Sequence, residues 1–480
     1  MAVEPLLVKA TSVTPSPRQL AWQRREFYAF IHFTVNTFTG REWGDGTEDP
    51  DIFAPVDFDA AQWVSVVADA GMTGLILTAK HHDGFCLWPS ACTDHSVRSS
   101  KWRNGEADIV AEVAAACRER GIAFGIYLSP WDRHEPSYGD TPRYNSFFLA
   151  QLRELLTGYG DIFCVWFDGA CGEGPNGKRQ QYDWQSYYAL IRELQPDATI
   201  NVCGPDVRWC GNEAGHCRPS EWSVVPAALQ SRETIAASSQ QKDDGEFAAR
   251  LNSSDDDLGS REKIRQAGDL VWFPAEVNTS IRPGWFYHTE EDDHVKTLDE
   301  LVNIYFGSVG GNACFLLNFP PDRRGLIHEN DAGRVRELGQ LLRQTFAIDL
   351  AAAAAVSSPS GDSGPEHPPQ HLVDGRPETY WTTDGREAAI VEFALDSPCA
   401  ISVAMLQEYL DLGQRIERFR LAALVDGRWR TVTDSTVVGY KRLLRFAPVT
   451  TDRVRVEILE SRLSPALSKV SFYYNPALPE

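Results

Sequence analysis

The sequence predicts an α/β chain in two parts, a (β/α)8 TIM-like barrel over residues 1–350 followed by a β-sandwich over residues 351–480. Three observations carry this. Apolar runs alternate with amphipathic stretches through the first two-thirds, a Pro/Gly/Ser-rich connector follows residue 351, and short alternating strands occupy the rest. At a prior of roughly 150 residues per domain the 480 residues would make two or three domains, and a barrel of about 250 or more counts as one.

Candidate barrel strands are Phe27–Phe33, Gly74–Lys80, Phe124–Pro130, Ile162–Gly169, Ala198–Gly204, Glu221–Val225, Leu270–Val277 and Ala313–Pro320. Most are continuously apolar, as strands covered on both faces should be. Between them Asp59–Ala70 places Trp63, Val66, Val67 and Ala70 at helical spacing before Gly71, and Glu106–Arg120 repeats the pattern before Gly121. Tyr144–Leu156, Gln185–Leu194, Leu298–Val309 and Arg334–Phe346 complete the helices. The polar stretch Ser231–Glu262 reads as a solvated insertion over the barrel rim. Beyond the connector, Ala389–Phe393, Ile401–Leu406, Arg418–Val425, Trp429–Val432, Lys441–Phe446, Arg453–Ile458 and Lys469–Tyr474 have the spacing of a sandwich.

Hydrophobic content of 43% with 11% aromatic residues describes a folded chain, not a disordered one. The balance of 46 basic against 67 acidic residues, −21, excludes a nucleic-acid partner, whose phosphates need a basic face, and disfavours anionic lipid. Nothing is long and apolar enough to span a membrane. Met1 to Lys9 shows no signal-peptide pattern, which suggests the cytoplasm as the chain stands, or the periplasm or exterior if a leader was trimmed. The spacing of Cys203, Cys210 and Cys217, with His216, is too wide for a zinc knuckle, and no metal or cofactor is expected. Oligomeric state is not legible.

In such a barrel chemistry sits where strands end. The first ends in His32, the second in Lys80-His81-His82-Asp83, the third runs into Tyr127-Leu-Ser-Pro-Trp131-Asp132, and the fourth closes with Trp166-Phe167-Asp168-Gly169. The fifth is followed by Asp206-Val-Arg208-Trp209-Cys-Gly-Asn212-Glu213, and the seventh leads into Glu276 and Arg282-Pro-Gly-Trp285. Packing does not require so many polar strand ends. A carboxyl pair here suits glycoside hydrolysis, while histidines and indoles suit a sugar's hydroxyls and apolar face. Gly169 would let a ligand approach the backbone. A metal-dependent hydrolase is the rival, weakened because His32 lacks the second histidine of an HxH pair, and a non-catalytic sugar-binding barrel is the other alternative.

Together the segments resemble glycoside hydrolase family 29, the retaining α-L-fucosidases. They are Phe30-Ile-His-Phe33 with Asn36, Glu42-Trp43-Gly44, Leu77-Thr-Ala-Lys80-His81-His82-Asp83-Gly84-Phe85, Tyr127-Leu-Ser-Pro-Trp131, Val165-Trp-Phe-Asp168-Gly169 and Ser280-Ile-Arg-Pro-Gly-Trp285-Phe-Tyr-His. The resemblance implies Asp168 as nucleophile and His32, Glu42, Trp43, His81, His82, Tyr127 and Trp285 as fucose-binding residues. The segment around Glu213 resembles the branch acting on α-1,3/1,4-linked fucose of Lewis-type glycans, which implies Glu213 as acid/base, with Glu276 and then Glu221 as alternatives. It implies a double displacement needing a protonated Glu213 and carboxyls roughly 5–5.5 Å apart. A fucosylated oligosaccharide is the implied partner, and the loop His134–Tyr138 and the insertion Ser231–Glu262 are candidates for holding its second sugar. A broader enzyme acting on α-1,2-linked and aryl fucosides is the alternative. The segment His371-Leu-Val-Asp374-Gly-Arg-Pro-Glu-Thr-Tyr380-Trp381 resembles galactose-binding, discoidin-like sandwiches, with Tyr380 and Trp381 expected in the core.

Overall fold

The computed structural model describes residues 4–239, 257–361 and 364–479. Eight strands form one sheet that curls into a nearly closed barrel: Phe27–Ile31, Gly74–Lys80, Ala123–Leu128, Cys164–Phe167, Thr199–Val202, Arg208–Trp209, Ala275–Ser280 and Ala313–Phe319. Neighbours pair in parallel, and the first strand meets the last with Phe27 opposite Phe315. Between the fifth and sixth strands a single bridge, Asn201 to Val207, spans the seam. Full burial of Phe27–Ile31 and Gly74–Lys80 explains their unbroken apolar runs.

The sixth strand corrects the sequence expectation. Glu221–Val225 is not in the barrel; Val224–Pro226 instead pairs antiparallel with Leu270–Trp272 in a small outer sheet, and the two-residue strand Arg208–Trp209 takes the sixth place beside Ala275–Ser280. The expected strand Leu270–Val277 is therefore two, broken at Phe273-Pro274 because proline cannot donate to a ladder.

The helices fall where the apolar spacing puts them. Asp59 caps Ala60–Asp69 by accepting from the N–H groups of Ala61 and Gln62, and Asp108 caps Ile109–Arg120 at Ala111. That second helix stops at Gly121, whose φ of 67° a residue with a Cβ rarely adopts.

The C-terminal part is antiparallel, in seven strands. Two pairs of expected strands are single 20-residue strands, Ala389–Glu408 and Arg442–Ser461, whose register slips between Ala394 and Cys399 and again between Ile401 and Val403. Bulges bend a long strand so that one strand serves both layers. The alanines that open the connector belong to this unit: Ala351 and Ala354 are buried in its core, and Ala355–Ser357 pairs with the strand at Glu392 to Ala394. Trp381 lies in that core, whereas Tyr380 is half-buried and stacks between His367 and Tyr409. Val403, Met405, Leu443 and Tyr473 of the sandwich pack into the barrel's apolar core. No helix among the described residues is long and apolar enough to cross a membrane.

Candidate active site

A pocket of about 640 Å³, counted to its opening, lies at the C-terminal mouth of the barrel. The first strand and its following loop bring Phe30, His32, Glu42 and Trp43, and the second brings His81 and His82. The fourth brings Trp166, Asp168 and Gly169, the sixth Trp209 and Glu213, and the seventh Asn278 and Trp285. Of the residues expected to bind fucose, Tyr127 does not line the pocket; it is buried beneath, and its hydroxyl donates to Asp168 Oδ2 at 3.0 Å.

Asp168 is held by donors on both oxygens. Besides Tyr127, the Ala170 N–H donates to Oδ1 at 2.8 Å. Burial raises its carboxyl above the ordinary value, and the Ala170 N–H, the Tyr127 hydroxyl and the Gly169 N–H oppose that rise. Glu213 has less help. Among the described residues its donor is the Trp285 indole N–H at 3.2 Å, and burial, with the charges of Asp168 and Glu42, pushes it from 4.5 up to about 7. Burial thus raises both carboxyls of the pocket, and Glu213, with fewer donors to favour its ionised form, is the one suited to carry a proton.

The histidines are neutral. The His32 Nδ1–H donates to Asn318 Oδ1 at 2.8 Å, leaving Nε2 as an acceptor, and burial lowers the ring to about 3. The Ser129 hydroxyl donates to the Trp131 carbonyl and so must accept from His82 Nδ1–H at 2.6 Å. Nε2 of His82 then faces Asp168 Oδ2 at 3.8 Å, and burial lowers this ring to about 3 as well. His81, packed against His82 and Tyr127, is pushed well below its usual value by burial.

Glu42 fastens one wall. It accepts from the backbone N–H groups of Trp285 and Phe286 at 2.9 and 3.3 Å and from His288 Nε2 at 2.7 Å, so it fixes the indole that touches Glu213. Trp43 stands edge-on to His82 and Trp131. Its loop is clamped from the His134–Tyr138 side: Arg133 donates to the Gly44 carbonyl, and His134 Nδ1 donates to that of Gly46 at 2.7 Å. Asp132, paired at 2.8 Å with the buried Lys80, accepts from the N–H groups of His134 and Glu135. His134–Tyr138 is thus a buttress, with Tyr138 fully buried.

The alternative carboxyls are spent elsewhere. Glu276 lies in the barrel interior, accepting from Tyr28, from Trp166 Nε1 at 2.6 Å and from Asn201 Nδ2 at 2.7 Å. Glu221 is buried against Arg208 and 3.6 Å from Arg218. Neither lines the pocket. Gly169 lines the pocket, and a Cβ there would lie 1.9 Å from Ser239 Oγ; Ser239 also lines the pocket, from the insertion Ser231–Glu262, of which residues 240–256 lie outside the described residues. Sequence reasoning gave no individual role to Trp209, Asn278, Trp166 or Ser239, although Ser239 lies in the insertion expected to hold a second sugar. Alternation along Ala275–Ser280 could have flagged Asn278, which binds the Trp209 indole at 2.7 Å, but nothing local marks Ser239. The cysteines do not gather: Cys203 donates to the Asp168 carbonyl, Cys210 to that of Asn212 and Cys217 to that of Gly307.

A polar pocket walled by indoles, with one carboxyl rich in donors and a second raised by burial, at the C-terminal mouth of a parallel barrel is the setting of a glycoside hydrolase. The Alpha-L-fucosidase family pattern matches residues 11–345, and the F5/8 type C domain pattern matches residues 352–469. The chain belongs to the α-L-fucosidase family. It is 41% identical over 470 residues to alpha-L-fucosidase 1 of Arabidopsis thaliana, covering 96% of this chain and 87% of that one. The crystal structure of the Ruminococcus gnavus GH29 fucosidase E1_10125 in complex with fucose superposes with a TM-score of 0.84 at 32% identity, over 97% of this chain and 96% of that one. A Bacteroides ovatus protein reaches 0.86 at 47% identity, covering all of this chain and 78% of that one.

Proposed function

We propose that the protein, with residues 1–350 as its catalytic unit and 351–480 as an accompanying domain, is a retaining exo-α-L-fucosidase for α-1,3/1,4-linked fucose on branched, Lewis-type glycans. The observation that carries the assignment of roles is the asymmetry of the two carboxyls: Asp168 has donors on both oxygens, while Glu213 is raised to about 7. Asp168 attacks C1 of the fucosyl residue as Glu213 protonates the departing oxygen. Glu213 then takes a proton from the water that opens the fucosyl–enzyme ester, so configuration is retained. His32, His81 and His82 meet the sugar's hydroxyls as neutral rings, Trp43 and Trp285 flank it, and Glu42 and Tyr127 hold Trp285 and Asp168 in place. The linkage preference draws support from the Asp206–Glu213 segment and from Ser239, Trp209 and Asn278, which extend the lining beyond the groups assigned to fucose.

The test is fucose release from a Lewis-type trisaccharide, an α-1,2-fucosylated lactose and an aryl α-L-fucoside by wild type, Asp168→Ala and Glu213→Ala, with and without azide. Release from the trisaccharide alone, abolished in the first variant and largely lost in the second, with any fucosyl azide formed by the second keeping the substrate's configuration, is expected. Equal release from all three substrates would replace the linkage assignment with a broad-specificity enzyme. One observation favours a second reading: ligand atoms of His81, His82 and Asp168 lie within 4.8 Å of one another, close enough to share a metal ion. Activity lost to a chelator and restored by a divalent metal would move the assignment there.

A further inference from the structure

Glu213 sits on a loop that leaves the barrel at Arg208–Trp209 and ends at Val224. The near end is pinned by the barrel, where the Cys210 N–H donates to the Glu276 carbonyl at 2.9 Å. The far end is pinned by the sandwich. Thr436 Oγ1 donates to the Pro219 carbonyl at 2.7 Å, and Arg442 Nη2 donates to the same oxygen at 3.0 Å. Ser223 N–H donates to Gln414 Oε1 at 2.8 Å, Val437 packs with Trp222, Val225 and Phe273, and the Arg462 guanidinium covers the Trp222 ring at 3.5 Å. Asn312 ties both sides, donating to the Glu221 carbonyl at 2.7 Å and accepting from Tyr440 N–H at 2.7 Å.

Within the loop these anchors are joined by charge. Glu221 accepts from Arg208 beside the barrel strand and from the Arg218 N–H at 3.0 Å, while the Arg218 side chain reaches back to the Cys210 carbonyl at 2.9 Å. Arg442 is buried, and its Nε is spent on the Val437 carbonyl at 2.7 Å, so it has one geometry in which to hold Pro219. A loop of this length left to itself would sample many conformations, and a proton donor displaced by about 1 Å loses on the order of a hundredfold in rate.

We propose that the C-terminal sandwich positions the acid/base: Arg442 and Thr436, acting through Pro219, and Gln414, acting through Ser223, fix the loop that aims Glu213. Arg442 is the central positioning residue, and Glu221 is the staple that passes its hold along the loop. The inference rests on Glu213 being the acid/base.

The experiment uses the full chain as wild type, Arg442→Met, Arg442→Lys, Thr436→Val and Glu213→Ala. Each is assayed for kcat/KM on a fucosylated oligosaccharide, whose alkoxide leaving group needs a proton, and on α-L-fucosyl fluoride, whose leaving group needs little. Arg442→Met should lose about ten- to hundredfold on the oligosaccharide, mostly in kcat, and less than about threefold on the fluoride. Arg442→Lys should recover much of the loss, and the alkaline limb of the oligosaccharide pH profile should move in Arg442→Met. A merely destabilised protein would lose equally on both substrates; that result, or no loss on either, overturns the inference. Should Arg442→Met fail to fold, Thr436→Val, which removes one hydrogen bond, decides by the same ratio. Equal losses on both substrates in Glu213→Ala would overturn the reading of Glu213 itself, and this inference with it.

Discussion

Glu213→Gln should make the protein more resistant to unfolding at alkaline pH than wild type, and no more resistant at acid pH. Burial holds this carboxyl at about 7 against an ordinary 4.5. A carboxyl raised on folding binds its proton more tightly in the folded chain, so the folded state binds more protons between pH 4.5 and 7. Stability therefore falls as pH rises through that window, and the full cost is present above about 7. The difference, 7 less 4.5, converts at 1.36 kcal/mol per pK unit to about 3 kcal/mol. Glutamine keeps the shape, accepts from Trp285 through its carbonyl and never ionises, so it escapes that cost. The assay is calorimetry of both proteins from pH 4 to 8.5. The gap between their midpoints should open between pH 4.5 and 7 and level off at a few degrees. A gap that does not change with pH would refute the argument that the surroundings of Glu213 hold its proton.

Trp285→Phe removes the donor that favours ionised Glu213, so the alkaline limb of kcat/KM should move up by about half to one pH unit, and a downward move would contradict the assigned hydrogen bond. Glu276→Gln replaces one acceptor oxygen with an amide nitrogen that cannot accept from the donor facing it; it should cost about 1–3 kcal/mol in denaturant unfolding and leave the alkaline limb in place. Loss of that limb would instead make Glu276 the acid. Lys80→Met leaves Asp132 buried and unpaired, at a cost of about 3–5 kcal/mol by the same measurement, and Lys80→Met with Asp132→Asn should recover part of it.

The barrel was legible because strands covered on both faces write themselves as apolar runs, and six of its eight strands begin and end within two residues of their expected bounds. The sixth strand was not legible. Two residues, Arg208–Trp209, carry no period, and the apolar Val224–Val225 nearby imitates a barrel strand while pairing outside. The same holds for the site. Asp168 and the histidines stand at strand ends, where position alone announces them. The choice among Glu213, Glu276 and Glu221 turns on which carboxyl faces the pocket and which has its oxygens claimed by Trp166 or Arg208, contacts made by residues more than ten positions away. In the sandwich, the bulged strands read as pairs because a register slip interrupts the alternation that sequence reading relies on.

The three uncharged imidazoles have one more consequence. With His32 and His82 lowered to about 3 and His81 well below its usual value, the pocket lining among the described residues offers a sugar hydrogen bonds but no cation near neutral pH. A fucosyl group is itself neutral, so its entry neither gathers nor expels counterions, although the surface around it belongs to a chain of net charge −21. Ionic strength screens interactions between charges and has little purchase on the binding of an uncharged sugar. Recognition of the sugar in this pocket is accordingly little affected by the salinity of its surroundings.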